Sequence, residues 1–201
     1  MAHVPVFYAT THCQTKRSAQ RIAERIAQRL RDEGHSSSAF EVNSTAADEC
    51  DWHHADGVVL AASLHAGGHQ HCAETFVREW LARLNAVPSW FVSVSLGGAS
   101  GNDNERLAAQ RMAEAFVATL RWRPRRVSCV GGSLACARYS LLTRWFLGRI
   151  ASRNGGPTDV SRNHELTDWI ALDALAQQFS RELRQSSGVV ATQDRVAVAH
   201  W

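Results

Sequence analysis

Thr10-Thr11-His12-Cys13-Gln14-Thr15 places hydroxyl and amide donors between an apolar run and a segment of helical period. A helix N-terminus carries unpaired N–H groups and a partial positive charge, so this segment suits a phosphate, with Thr10 and Thr15 adding donors to its oxygens. The same threonines would also cap a helix that holds no ligand. Two more segments, Ser63-Leu64-His65-Ala66-Gly67 and Ser95-Leu96-Gly97, follow apolar runs of strand length. In a parallel sheet such loops leave the carboxyl ends of the strands, where ligands collect.

A second kind of chemistry lies further on. Arg121 to Thr158 contains eight arginines and no Asp or Glu. A stretch of one sign suits a carboxylate, a phosphate or a lipid surface, and a solvated basic face has the same composition. Within it, Arg138, Tyr139, Arg144, Trp145 and Arg149 flank an apolar helical stripe of Leu142, Trp145, Phe146 and Ile150. That pattern fits an interfacial helix on an anionic membrane or a clamp for ligand carboxylates, and equally a helix docked on its own domain.

Histidines gather at His53, His54, His65, His69 and His71, beside Cys72, but without the spacing of a metal motif, so no metal site is assigned. Cys13 at a helix start resembles the nucleophile of low-molecular-weight tyrosine phosphatases. Those enzymes need an Arg six residues later, and Ala19 stands there. No side chain is assigned as catalytic acid or base.

The elements that must position these loops follow from periodicity. Val4–Ala9 reads as a strand and Thr15–Glu33 as a helix, with Ala19, Ile22, Ala23, Ile26 and Leu30 on one face and Gly34 as its stop. Residues 38–42 form a weak second strand. Residues 57–62 form a third, buried on both faces. Residues 72–84 form one helix. Pro88 opens a fourth strand, Asp103 caps a helix running to Leu120, and residues 126–130 form a fifth strand. The last helix starts near Thr167 and ends about Leu183. This alternation predicts an α/β chain with a doubly wound, five-stranded parallel sheet. One domain spans 1–186, with an insertion at about 132–166 and a mobile tail at 187–201.

Specific runs then point to a family. Flavodoxins read Thr/Ser-x-Thr-Gly-x-Thr in the first loop, and Thr10, Gln14 and Thr15 match, with His12 and Cys13 departing. Ala62-Ser63-Leu64-His65-Ala66-Gly67 resembles the Ala-Ser-Ile-Arg-Tyr-Gly of the quinone-linked protoporphyrinogen oxidases, a flavodoxin-like family. Ala66 stands where family members often place an aromatic against the flavin, and His69 is a ring that could substitute. FVREWLARLNAVPSWFVSVSL continues the resemblance, and so does the segment from Trp122 to Trp169, with its Arg/aromatic insertion and Gly-Gly-x-Thr-Asp turn. The resemblance covers roughly residues 4 to 184. It implies a flavodoxin-like fold, FMN as cofactor, protoporphyrinogen IX as substrate and a respiratory quinone as electron acceptor. FMN would be held by Thr10, Thr11, His12, Cys13, Gln14 and Thr15, by Ser63, Leu64, His65, Ala66 and Gly67, and by Ser95, Leu96 and Gly97. Arg138, Tyr139, Arg144, Trp145 and Arg149 would meet the substrate or the membrane.

Composition agrees with a globular domain that has a packed core. Hydrophobic residues make up 45% of the 201-residue chain, and the net charge of +3 gives no reason to expect a nucleic acid partner. The first residues, MAHVPVFYAT, do not read as a signal peptide and no apolar run reaches bilayer length, which predicts a cytoplasmic protein with at most a peripheral contact on the inner face of the membrane. Five cysteines without a C-x-x-C pair are expected as free thiols.

Overall fold

The computed structural model describes residues 1–9, 15–65, 68–135 and 163–197. Val6–Ala9 forms β1, Thr15–Asp32 α1 and Ala39–Glu41 β2. Thr45–Asp48 is a one-turn α2, followed by β3 (Val58–His65), β4 (Gly68–His69), α3 (His71–Glu79) and α4 (Leu81–Ala86). Then come β5 (Ser89–Ser95), α5 (Asp103–Thr119), β6 (Arg126–Gly131), β7 (Ser133–Ala135), β8 (Asn163–Glu165) and α6 (Trp169–Ala197).

The five expected strands pair in parallel in the order β2-β1-β3-β5-β6. β4 adds a short antiparallel return on β3 (Leu64↔His69), and β7 pairs antiparallel with β8 as a separate ribbon. Alternation along each strand sorts side chains between two cores. Val6, Val59, Ala61, Trp90, Val92 and Val94 face α1 and α6. Phe7, Leu60, Ala62 and Phe91 face α3, α4 and α5.

The helical faces obey the 3.6-residue period. Ala19, Ile22, Ala23, Ile26 and Leu30 of α1 are fully buried, as are Ala176 and Phe179 of α6. Burying one side chain of Phe or Leu size is worth about 1.5–3 kcal/mol, so this seam outweighs the exposed ion pairs along it. Those pairs, Arg25 with Asp173 (2.8 and 2.6 Å) and Arg184 with Glu33 (2.7 Å), instead set the register of α6 on α1. Gly34 ends α1 at φ +85, a conformation that a Cβ disfavours.

Three local expectations change. The predicted helix over 72–84 breaks at Trp80 (φ −101, ψ 14). Trp80 stacks on Trp52 (4.4 Å, 6°), which stacks on Phe7 (4.6 Å, 7°), and Arg83 donates to the carbonyls of Trp52 and Ala55. Tertiary stacking therefore overrides local helix propensity. The cap of α5 is Asn102, which accepts from Asn104 N, and Asp103 is the first helical residue. The last helix runs past Leu183 to Ala197, because a formed helix propagates through residues whose apolar pattern is weak.

Candidate functional site

The strand order reverses between β1 and β3, which makes their carboxyl ends the switch point of the sheet. Register brings the predicted segments together there. Ala9 pairs with Ala62 and Ser63 with Val94, so the chain leaves β1, β3 and β5 at nearly one level. Thr15 starts α1, and the first turn of that helix contains no acidic residue to oppose an anion. Thr10, Thr11, His12, Cys13, Gln14, Ala66 and Gly67 lie outside the described residues, as do Arg138, Tyr139, Arg144, Trp145 and Arg149.

Ser63 is completely buried, and its hydroxyl has no hydrogen-bond partner among the described residues. An unsatisfied buried hydroxyl is unfavourable by about 1–3 kcal/mol, which makes it a natural donor or acceptor for a ligand seated at the switch point. Gln70, at the start of α3 on the opposite face of the sheet, is also buried, and its Nε2 has no partner among the described residues. Sequence reasoning passed over Gln70, although its place just ahead of a helix was a legible signal.

The segment after β5 has a different character. Ser95 accepts from Gly98 N (3.0 Å) and so closes its own turn. Leu96 stands 45% exposed at the lip of the sheet, and Gly97 packs against Glu105 and Ala109 of α5. The sharp constraint falls at Gly131, where a Cβ would overlap the Leu166 carbonyl and Ala99. Thr167 Oγ1 donates to the Gly131 carbonyl (2.8 Å), and β7 and β8 pair just beyond. The β7–β8 ribbon, which flanks residues 136–162 in the chain, therefore sits at the carboxyl end of β6, the edge strand of the sheet.

His69 does not turn towards that edge to replace the missing aromatic. Its ring packs on Phe91 (5.1 Å) and Phe116 (4.6 Å), with Nε2 on Ser93 Oγ (2.9 Å). Burial lowers its pKa to about 4, so the imidazole is neutral near pH 7. Ser93 also hydrogen-bonds the Cys129 thiol, whose pKa burial raises. Among the described residues no cluster of His, Cys, Asp and Glu is arranged to hold a metal ion.

The geometry thus brings the start of α1, the orphaned Ser63 hydroxyl and the carboxyl ends of β1, β3 and β5 together at the switch point of the sheet. A family model described as "Flavodoxin domain" matches residues 5–161. The chain belongs to the flavodoxin-domain family. It is 30% identical over 133 residues to the protoporphyrinogen IX dehydrogenase [quinone] of Escherichia coli (strain K12), covering 66% of this chain and 73% of that protein. The protein of the same name from Leishmania major is 29% identical over 123 residues, covering 61% of this chain and 53% of its own length. The solved apo form of an NADH:FMN oxidoreductase superposes with a TM-score of 0.53 at 11% identity over 90% of each chain, a likeness of fold. The expected fold class is therefore observed, with β4 and the β7–β8 ribbon added to the five parallel strands.

Proposed function

We propose that this protein is an FMN-dependent dehydrogenase that oxidises protoporphyrinogen IX to protoporphyrin IX and passes the electrons to a membrane quinone, in haem biosynthesis. The observation that carries the reading is its 30% identity to a relative named for that reaction, across most of the relative's length. The structure adds compatible detail: a flavodoxin strand order and, at the carboxyl end of β6, the β7–β8 ribbon that flanks the basic insertion in the chain.

Roles follow from position. Thr10 to Thr15, at the α1 N-terminus, bind the FMN phosphate. The Ser63 hydroxyl would supply a further polar contact, and Leu64, His65, Ala66 and Gly67 after β3 and Ser95, Leu96 and Gly97 after β5 would help hold the flavin. Bound FMN supplies the electron-pair acceptor that no side chain can provide. Arg138, Tyr139, Arg144, Trp145 and Arg149 receive the carboxylates of the tetrapyrrole or rest on anionic lipid, since guanidinium groups pair carboxylates in bidentate fashion. Each electron pair leaving the porphyrinogen reduces one quinone to a quinol, and the released protons balance the uptake. No described helix is long and apolar enough to cross a membrane.

The test is direct. The purified chain, loaded with FMN and freed of excess, is expected to keep flavin absorption bands and to form fluorescent protoporphyrin from protoporphyrinogen when a quinone is present. Flavin retention with quinone reduction from another donor alone would move the protein to a general quinone reductase or electron carrier. Failure to hold any flavin would make it a binding module.

A further inference from the structure

An apolar cavity of about 270 Å³ opens behind the β3–β4 hairpin. Leu64, Ala115, Phe116 and Leu120 form apolar wall, and Gly68 leaves one side without a side chain. His69 lines it with an imidazole already fixed on Ser93 Oγ (2.9 Å) and against Phe116 (4.6 Å). Met112, 39% exposed, is also part of the lining, and a flexible thioether adapts to flat ligands. Glu74 adds a carboxylate kept ionised by its hydrogen bond to Arg78 (2.7 Å).

Size and charge narrow the occupant. Pockets for drug-sized ligands run about 300–1,000 Å³, so this cavity takes one or two fused rings and excludes a tetrapyrrole. An ionised carboxylate in the lining disfavours an anionic ligand such as a phosphate or a porphyrin propionate. The His69 imidazole, the Thr119 hydroxyl and the Glu74 carboxylate, set beside apolar Leu64, Ala115, Phe116 and Leu120, suit a flat, uncharged molecule with hydrogen-bonding atoms on its rim. The cavity is lined by Leu64 and Gly68 of the antiparallel β3–β4 pair, which extends from the carboxyl end of β3.

We propose that this cavity binds the ring of a neutral quinone, with His69 positioned against a ring carbonyl. The proposal rests on the function given above and names the acceptor's seat within it.

The probe is 2,3-dimethyl-1,4-naphthoquinone, whose blocked ring carbons do not alkylate thiols. Binding is measured by equilibrium dialysis on the full chain, with and without FMN. Ala115 is exposed on α5, so Ala115→Leu narrows the cavity without touching the core. Ala118→Leu, exposed on the same helix and absent from the lining, is the control. Expected is saturable binding by the native chain, at least tenfold weaker in Ala115→Leu and unchanged in Ala118→Leu, with flavin retention equal in all three. No saturable binding by the native chain, or equal binding by Ala115→Leu, overturns the proposal. Binding that responds to Ala115→Leu in a protein that never oxidises protoporphyrinogen would leave the cavity assignment standing and reject the proposed function instead.

Discussion

Replacing Ser63 by alanine is expected to stabilise the flavin-free protein while weakening its hold on FMN. The hydroxyl is fully buried and lacks a partner among the described residues, so it carries its desolvation penalty with no hydrogen bond in return. Removing it relieves about 1–3 kcal/mol, less the small loss of packing around one absent oxygen. For a domain of this size each kcal/mol moves the melting temperature by about 2–4 °C, so the flavin-free variant should melt a few degrees higher. With FMN bound, the same oxygen makes a hydrogen bond worth about 0.5–1.5 kcal/mol, or about 1.5–3 if its partner is charged. FMN affinity should then fall by roughly twofold to a hundredfold. The assays are thermal unfolding of both proteins without flavin and fluorescence titration with FMN. A variant that melts lower than the native protein and binds FMN equally well would refute the reasoning, because the hydroxyl would then be serving the fold and not the ligand.

Other outcomes can be checked with the same preparations. His69 has a folded pKa of about 4, below the ordinary 6.5, so in the window between those values the unfolded chain binds the extra proton and stability falls as pH falls. Burial and Arg184 shift His35 in the same direction. Urea unfolding at pH 7 and pH 5 should show a loss of about 2 kcal/mol from His69, and His69→Gln should flatten that slope. Gly131→Ala, which forces a Cβ into the Leu166 carbonyl and Ala99, is expected to destabilise by about 1–3 kcal/mol in the same unfolding assay. The Cys50 pKa is pushed up to about 11 by burial and by Asp51, so at pH 8 iodoacetamide should alkylate it about a hundredfold more slowly than a free thiol, followed by mass spectrometry of its peptide.

The sequence by itself determined the α/β alternation, the places where α1, β3, β5 and β6 run, and the two-layer burial of their apolar faces, because those depend on periodicities of 3.6 and 2 that local residues carry. It also determined the loops worth attention and, through long matching runs, the family. Tertiary structure alone decided which donors at those loops are engaged. Ser63 and Ser95 read alike in the sequence, yet one is left unpartnered and the other closes a turn with Gly98. His69 reads as a ring available to the flavin loop, and the β4 return turns it inward between Phe91 and Phe116. The break at Trp80 and the need for glycine at 131 are equally invisible locally, since each arises from a partner distant in the chain, Trp52 in one case and Leu166 in the other. Periodicity reports which face of an element is buried. What a buried group meets there depends on contacts between residues far apart in sequence, and those exist only once the sheet and its two helical layers have closed.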